Sequence, residues 1–106
     1  MTETALTSSD VVLEVNGMKH PLSPPGVVIG RGAESELRID DPGISRRHAQ
    51  FRVQTVEGKT TVTVIDLDST NGVILNGRRV TEAEVGNGSE IRLGNTTLTI
   101  HISAGA

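Results

Sequence analysis

Apolar residues in this chain recur at every second position and nowhere at the third-and-fourth spacing of a helix over a helical length. Val11, Leu13 and Val15 alternate with polar or out-facing partners, and so do Ala49, Phe51 and Val53, Val62 and Val64, and Leu98, Ile100 and Ile102. Shorter strand-like pieces read MKHPL at 18–22, VVIG at 27–30, LRI at 37–39, VIL at 73–75, RRV at 78–80 and EIRL at 90–93. Turn signals punctuate them at Asn16-Gly17, Pro24-Pro25-Gly26, Asp41-Pro42-Gly43, Glu57-Gly58, Asn76-Gly77 and Asn87-Gly88. The two Asn-Gly pairs at 16–17 and 76–77 predict tight type I′ hairpins, whose positive φ suits those residues. The best helical candidate, VTEAEVG at 80–86, covers barely two turns. Many short strands with regular turns predict an all-β sandwich.

With 106 residues the chain holds one domain. MTETALTSSD is polar and aperiodic, so residues 1–9 read as a flexible tail or the remnant of a cut at a domain boundary. The domain is expected over 10–102, with a C-terminal tail at 103–106. Without helices, neither Rossmann cofactor binding nor P-loop chemistry is available, since both place phosphate at a helix N-terminus. Phe51 is the only aromatic residue, so there is no stacking platform for single-stranded nucleic acid and no aromatic groove for proline-rich peptides. A net charge of −3 removes any global attraction to nucleic acid or anionic lipid. Absent cysteine excludes thiolate catalysis and cysteine-ligated zinc, and is compatible with an expected cytoplasmic location. His20, His48 and His101 are too few and scattered to suggest a metal site, and no cofactor is expected. No stretch has transmembrane length and none resembles a signal-peptide core.

Four stretches place polar residues in loops where a sandwich does not need them for packing: IGRG at 29–32, DDPGISRRH at 40–48, DLDSTNG at 66–72 and ILNGRRV at 74–80. Arg31 leaves the sheet at the end of an apolar strand, and its planar fork of donors matches phosphate oxygens two at a time. Ser45 follows a turn and offers a hydroxyl to an oxyanion, with Arg46 or Arg47 adding charge. Read singly, each is also an ordinary surface residue. His48 begins a strand and points to the loop side, where it either fixes the loop by hydrogen bonds or acts as a base near Ser45. The second role is disfavoured because no G-x-S-x-G elbow is present.

DLDSTNG after the β-branched run VTVI has the form of a dehalogenase-type phosphatase loop, with Asp66 as nucleophile. Such enzymes need a parallel sheet, crossover helices, a later Lys and further carboxylates. Residues 71–106 contain no Lys and only Glu82, Glu84 and Glu90 as acids, and a parallel crossover alone takes about a dozen residues. The phosphatase reading fails on architecture. Asp66 and Asp68 are expected instead to start the turn, their carboxylates accepting backbone N–H bonds.

Gly30-Arg31, then Ser45-x-x-His48, then Ser69-Thr70-Asn71-Gly72 followed by Asn76-Gly77 resemble, in this order and spacing, the forkhead-associated (FHA) domain, most closely that of bacterial, actinobacterial-type proteins. The resemblance runs from about Asp10 to Ile102. It implies a β-sandwich of about eleven mostly antiparallel strands, with loops at one end that bind phosphothreonine in an extended peptide. It further implies that Arg31 contacts the phosphate, that Ser45 bonds one of its oxygens and that Arg46 adds a contact. Thr70 would sit beside the phosphothreonine, and Asn71 would bond the peptide backbone. Gly30, His48 and Gly72 would support the loops. The chain would then be no enzyme but an adaptor in Ser/Thr kinase signalling, its partner a phosphothreonine-bearing kinase, pseudokinase or kinase substrate. The alternative is a phosphate-independent interaction module. The resemblance implies that the loop before Ser45 helps choose the third residue after the phosphothreonine; here that loop, DDPGI, carries no basic side chain, so an apolar or neutral residue is expected there. Thr2, Thr4 and Thr7 raise the further expectation that a phosphorylated tail occupies its own pocket.

Overall fold

The computed structural model describes residues 11–102. Asp10, the expected tails at 1–9 and 103–106, and the threonines of the tail latch lie outside the described residues. Within them there is no helix, and eleven strands form two sheets. In chain order these are β1 (Val11–Val15), β2 (Met18–Leu22), β3 (Gly26–Gly30), β4 (Leu37–Arg38), β5 (Ala49–Val56), β6 (Lys59–Asp66), β7 (Val73–Leu75), β8 (Arg78–Val80), β9 (Glu82–Val85), β10 (Glu90–Leu93) and β11 (Thr96–Ile102). One sheet has the order β2-β1-β11-β10-β7-β8 and the other β4-β3-β5-β6-β9. The all-β sandwich expected from the alternation is the fold observed.

The period-two residues fill the space between the sheets. Leu13, Ile29, Phe51, Val62, Val64, Ile91, Leu93, Leu98 and Ile100 are all fully buried. At about 25 cal/mol per Å² of apolar surface removed from water, each large aliphatic side chain contributes roughly 1.5–3 kcal/mol, and one Phe suffices because the aliphatics close the core. The segment 80–86 is no helix. Its central residues form β9, where half-buried Ala83 and buried Val85 alternate with exposed Glu82 and Glu84, a period of two that a two-turn helix would break. Both Asn-Gly turns have positive φ at each residue, 52° and 81° at 16–17 and 48° and 87° at 76–77, as type I′ hairpins require.

A simple meander would send successive loops to opposite ends. Here β4 prevents that. It lies parallel to β3, pairing Leu37 with Ile29 and Arg38 with Gly30, so loop 31–36 doubles back and loop 39–48 leaves from the same end. Ile29 also pairs with Ala49, and Ala49 with Asp66. The end of β3, the start of β5 and the end of β6 therefore share one rim, and loops 31–36, 39–48 and 67–72 all emerge there.

Candidate functional site

These three loops are bonded to one another more than to themselves. Arg31 N–H donates to the Ser45 carbonyl at 2.9 Å and Gly32 N–H to that of Arg46 at 3.0 Å. Gly30 runs so close to the Arg46 carbonyl and the Ser35 hydroxyl that a Cβ at position 30 would overlap both, so only glycine fits. Ser35, which is buried, donates its hydroxyl to the same Arg46 carbonyl at 2.7 Å. Arg38 Nε donates to the Arg31 carbonyl at 3.0 Å, holding the backbone of Arg31 from the other side.

His48 is fully buried and joins the second loop to the third. Its Nδ1 accepts the Ser45 N–H at 3.0 Å, and its Nε2 lies 2.7 Å from the Gly72 carbonyl. A carbonyl only accepts, so Nε2 carries the proton and the ring is neutral. Both nitrogens are committed to backbone, which removes the base that a Ser45 nucleophile would need. His48 thus takes the loop-fixing role. Gly72, with φ 81°, has the Arg79 guanidinium where a side chain would stand.

In DLDSTNG, Asp66 behaves as the sequence suggested and Asp68 does not. Asp66 Oδ1 accepts the Ser69 N–H at 3.0 Å and its hydroxyl at 2.6 Å, and Ser69 Oγ in turn accepts the Gly72 N–H at 2.9 Å. Asp68 is exposed, with φ 63° and no hydrogen bond to a backbone N–H among the described residues; its share in the turn is the left-handed conformation that Asp tolerates. Closing the turn this way directs the next two residues at loop 39–48. Thr70 N–H donates to Ser45 Oγ at 3.0 Å, and Asn71 Nδ2 donates to the Gly43 carbonyl at 2.7 Å. Because Ser45 Oγ already accepts, its own proton is free to be donated. Asn71 keeps its Oδ1 and one amide hydrogen.

Arg31 is exposed. Its Nε donates to the Ile44 carbonyl at 3.2 Å, which aims the two terminal amino groups outward. Arg46 is also exposed, and among the described residues its side chain makes no hydrogen bond, only its carbonyl being used. Arg31, Ser45, Thr70 and Asn71 thus meet at one rim with Gly30, His48 and Gly72 beneath, while Arg46 contributes an untethered charge at its edge. The donor set is one guanidinium, one hydroxyl, one side-chain amide hydrogen and an untethered cation. It is suited to a tetrahedral anion, and among the described residues no carboxylate is bonded to the side chains of Arg31, Ser45, Arg46 or Asn71.

Asp41 is a functional support that sequence reading passed over as a turn former. Buried below the loop, it accepts the Gly43 N–H on Oδ1 at 2.8 Å and, on Oδ2, the Thr96 hydroxyl at 2.6 Å and the Asn95 N–H at 2.9 Å. The Thr96 hydroxyl, followed by the Gly43 N–H, holds its carboxyl below the usual carboxylate range against the opposing cost of burial. The Asp-Pro-Gly signal located the turn, but the partners at 95 and 96 are distant in sequence and gave no sign.

The matches to known proteins agree with this geometry. The model of the FHA domain family covers residues 27–94. FHA domain-containing protein FhaA of Mycobacterium tuberculosis is 33% identical over 87 residues, 82% of this chain and 16% of that protein. Glycogen accumulation regulator GarA of Mycolicibacterium smegmatis is 35% identical over 82 residues, 77% of this chain and 49% of the relative. The chain therefore spans less than half the length of either. A solved structure from a structural and functional analysis of phosphothreonine-dependent FHA domain interactions superposes with a TM-score of 0.78 at 33% identity, over 91% of this chain and 97% of that one. The actinobacterial resemblance holds, and the chain belongs to the FHA domain family.

Proposed function

We propose that this domain is a phosphothreonine-reading adaptor in Ser/Thr kinase signalling. Arg31 and Ser45 grip the phosphate, Arg46 adds charge, and Thr70 and Asn71 align the peptide. One observation carries the reading: Ser45 Oγ accepts the Thr70 N–H, which leaves its own proton to donate, and Arg31, from a different loop, is bonded beside it through the Ser45 and Ile44 carbonyls. A phosphothreonine carries nearly two negative charges and three acceptor oxygens, and this set satisfies them without supplying a nucleophile or base. Asn71 Oδ1 is placed to accept a peptide N–H, and its remaining amide hydrogen to donate to a peptide carbonyl. The phosphate is bound and kept, so the domain works as a reader and not as a phosphatase. Its partner is a kinase, pseudokinase or kinase substrate bearing phosphothreonine, met in the cytoplasm. Among the described residues no helix is long and apolar enough to cross a membrane.

The test is an oriented phosphothreonine peptide library screened against the wild type, with Arg31→Ala as the blank. Selective retention by the wild type alone is expected. Equal retention by both would overturn the phosphate contact and favour a phosphate-independent interaction module.

A further inference from the structure

Beyond Asn71 the rim opens into a cleft of about 390 Å³ lined by Gly43, Asn71, Ile74, Arg92, Gly94 and Asn95. None of these residues is acidic. Its wall is the outer face of the six-stranded sheet. Arg92 stands directly across from Ile74 on β7 and from Thr97 on β11, and Ile74 directly across from Arg79 on β8. Directly opposed residues share a face, and because Val73 and Leu93 are buried, this row faces outward. It reads Arg79, Ile74, Arg92, Thr97: an aliphatic residue between two guanidiniums.

Arg92 is exposed and held in place by one bond, Nε donating to the Gly94 carbonyl at 3.1 Å. Its terminal amino groups make no ion pair among the described residues, even though Glu90 lies two positions away on the same face. Asp41, beneath the cleft, has both oxygens engaged by Gly43, Asn95 and Thr96. Gly43 brings no side chain, and its backbone packs directly on Gly94, so that a Cβ on either glycine would overlap the other residue. The floor stays low and the cleft open.

Resting on the phosphothreonine reading above, we infer that Arg92 is the specificity-determining residue of this domain and that the cleft takes a carboxylate side chain, Asp or Glu, from the peptide on the Asn71 side of the phosphate. The loop before Ser45 contains no cation and by itself favours a neutral residue there. The cation is supplied by β10, a strand remote from the motif loops in sequence. Ile74 covers the stem of the incoming side chain, and the Arg92 fork meets its carboxylate in the paired geometry that Arg favours.

The experiment uses a set of phosphothreonine peptides in which a single Glu is moved through each position on both sides of the phosphothreonine, with an all-Ala flank as reference. Titrations are run on the wild type, Arg92→Gln and Arg92→Glu. One position on one side should bind the wild type about tenfold tighter than the Ala reference, a gain in the range of one hydrogen bond to a charged group. Arg92→Gln should lose that gain while binding the Ala reference as the wild type does, and Arg92→Glu should prefer Lys at the same position. A Glu preference that survives Arg92→Gln, or no preference at any position, would overturn the inference and leave phosphothreonine binding standing. Failure to distinguish the Ala reference from its unphosphorylated twin would overturn both.

Discussion

The two ends of the sandwich are built on opposite principles. At the far end, turns bond within themselves or to the strand beside them, as Asn87 does to Ile102 and Asn76 to Glu90. Gly86 and Ser89 exchange bonds, with Gly86 N–H on Ser89 Oγ at 3.1 Å and Ser89 N–H on the Gly86 carbonyl at 3.1 Å. The Glu57-Gly58 hairpin is flanked by the hydroxyls of Thr55 and Thr60, 3.1 Å apart. At the binding end many loop bonds lead to another loop: Arg31 to Ser45, His48 to Gly72, Thr70 to Ser45, Asn71 to Gly43, Asp41 to Asn95. A turn tied only to itself and to an adjacent strand tolerates change because no other loop depends on it. A mutually bonded set keeps Arg31, Ser45, Thr70 and Asn71 at one rim through those ties, so on the proposed reading the near end serves stability and recognition together.

The comparison breaks most visibly when a ligand donor is removed. Arg31→Ala should lower phosphothreonine affinity by about tenfold to several hundredfold, since a hydrogen bond to a charged group contributes roughly 1.5–3 kcal/mol and a dianion takes more than one. Its exposed side chain leaves the melting temperature nearly unchanged. Ser45→Ala should weaken binding similarly but also cost some stability, because Thr70 N–H loses its acceptor. Calorimetric titration beside thermal melting separates the two variants.

Removing a tie instead of a donor should affect both readouts. His48→Ala leaves the Ser45 N–H and the Gly72 carbonyl without partners in a buried site, a loss of about 2–4 kcal/mol. Denaturant unfolding should show that loss, and binding should fail even though His48 reaches no ligand. A variant that bound normally despite the lost stability would show that the loops hold their positions without it.

Asp41 gives the same contrast a pH signature. Its carboxyl is held below its ordinary value by the Thr96 hydroxyl first and the Gly43 N–H next. The stability it contributes is therefore fully present above the unfolded pKa, about 3.9, and is lost as pH falls through the lower native value. Against Asp41→Asn, the wild type should melt higher at neutral pH, and the difference should shrink below about pH 4. A gap constant across that range would mean that the charge plays no part.

The smallest effect is expected at the far end. Glu57 has φ 51° and Gly58 φ 77°, the pattern of the Asn-Gly hairpins with a residue less suited to positive φ. Glu57→Asn should raise stability by a few tenths of a kcal/mol, roughly 0.5 at most, and leave peptide affinity untouched. Any change in affinity would mean that the two ends communicate.

What the sequence made legible follows the same division. Hairpins and core strands are local, and the alternation of Leu13, Phe51, Val64 and Ile100 with polar neighbours predicted them directly. β9 was less clear, because Glu82, Ala83 and Glu84 have no strong strand preference and their pairing with β6 decides the matter. Arg31, Ser45, Thr70 and Asn71 were singled out through a family resemblance, and their convergence was invisible to periodicity since it depends on the two-residue parallel strand β4. Asp41 was legible only as a turn former, because its bonds to Asn95 and Thr96 join residues that are neighbours only in space, as are Arg92 and its cross-strand neighbour Ile74. Asp68 misled for the reverse reason: its type suits a cap, but the backbone conformation is what the turn uses.

The central claim is that the near-end loops read a phosphate and keep it. A single calorimetric titration of the wild type with one phosphothreonine peptide and its unphosphorylated twin, with the peptide mass measured afterwards, tests it most directly. Saturable binding of the phosphopeptide, none by its twin, and an unchanged mass are predicted. Equal binding of the two peptides, or a peptide that has lost its phosphate, would contradict it.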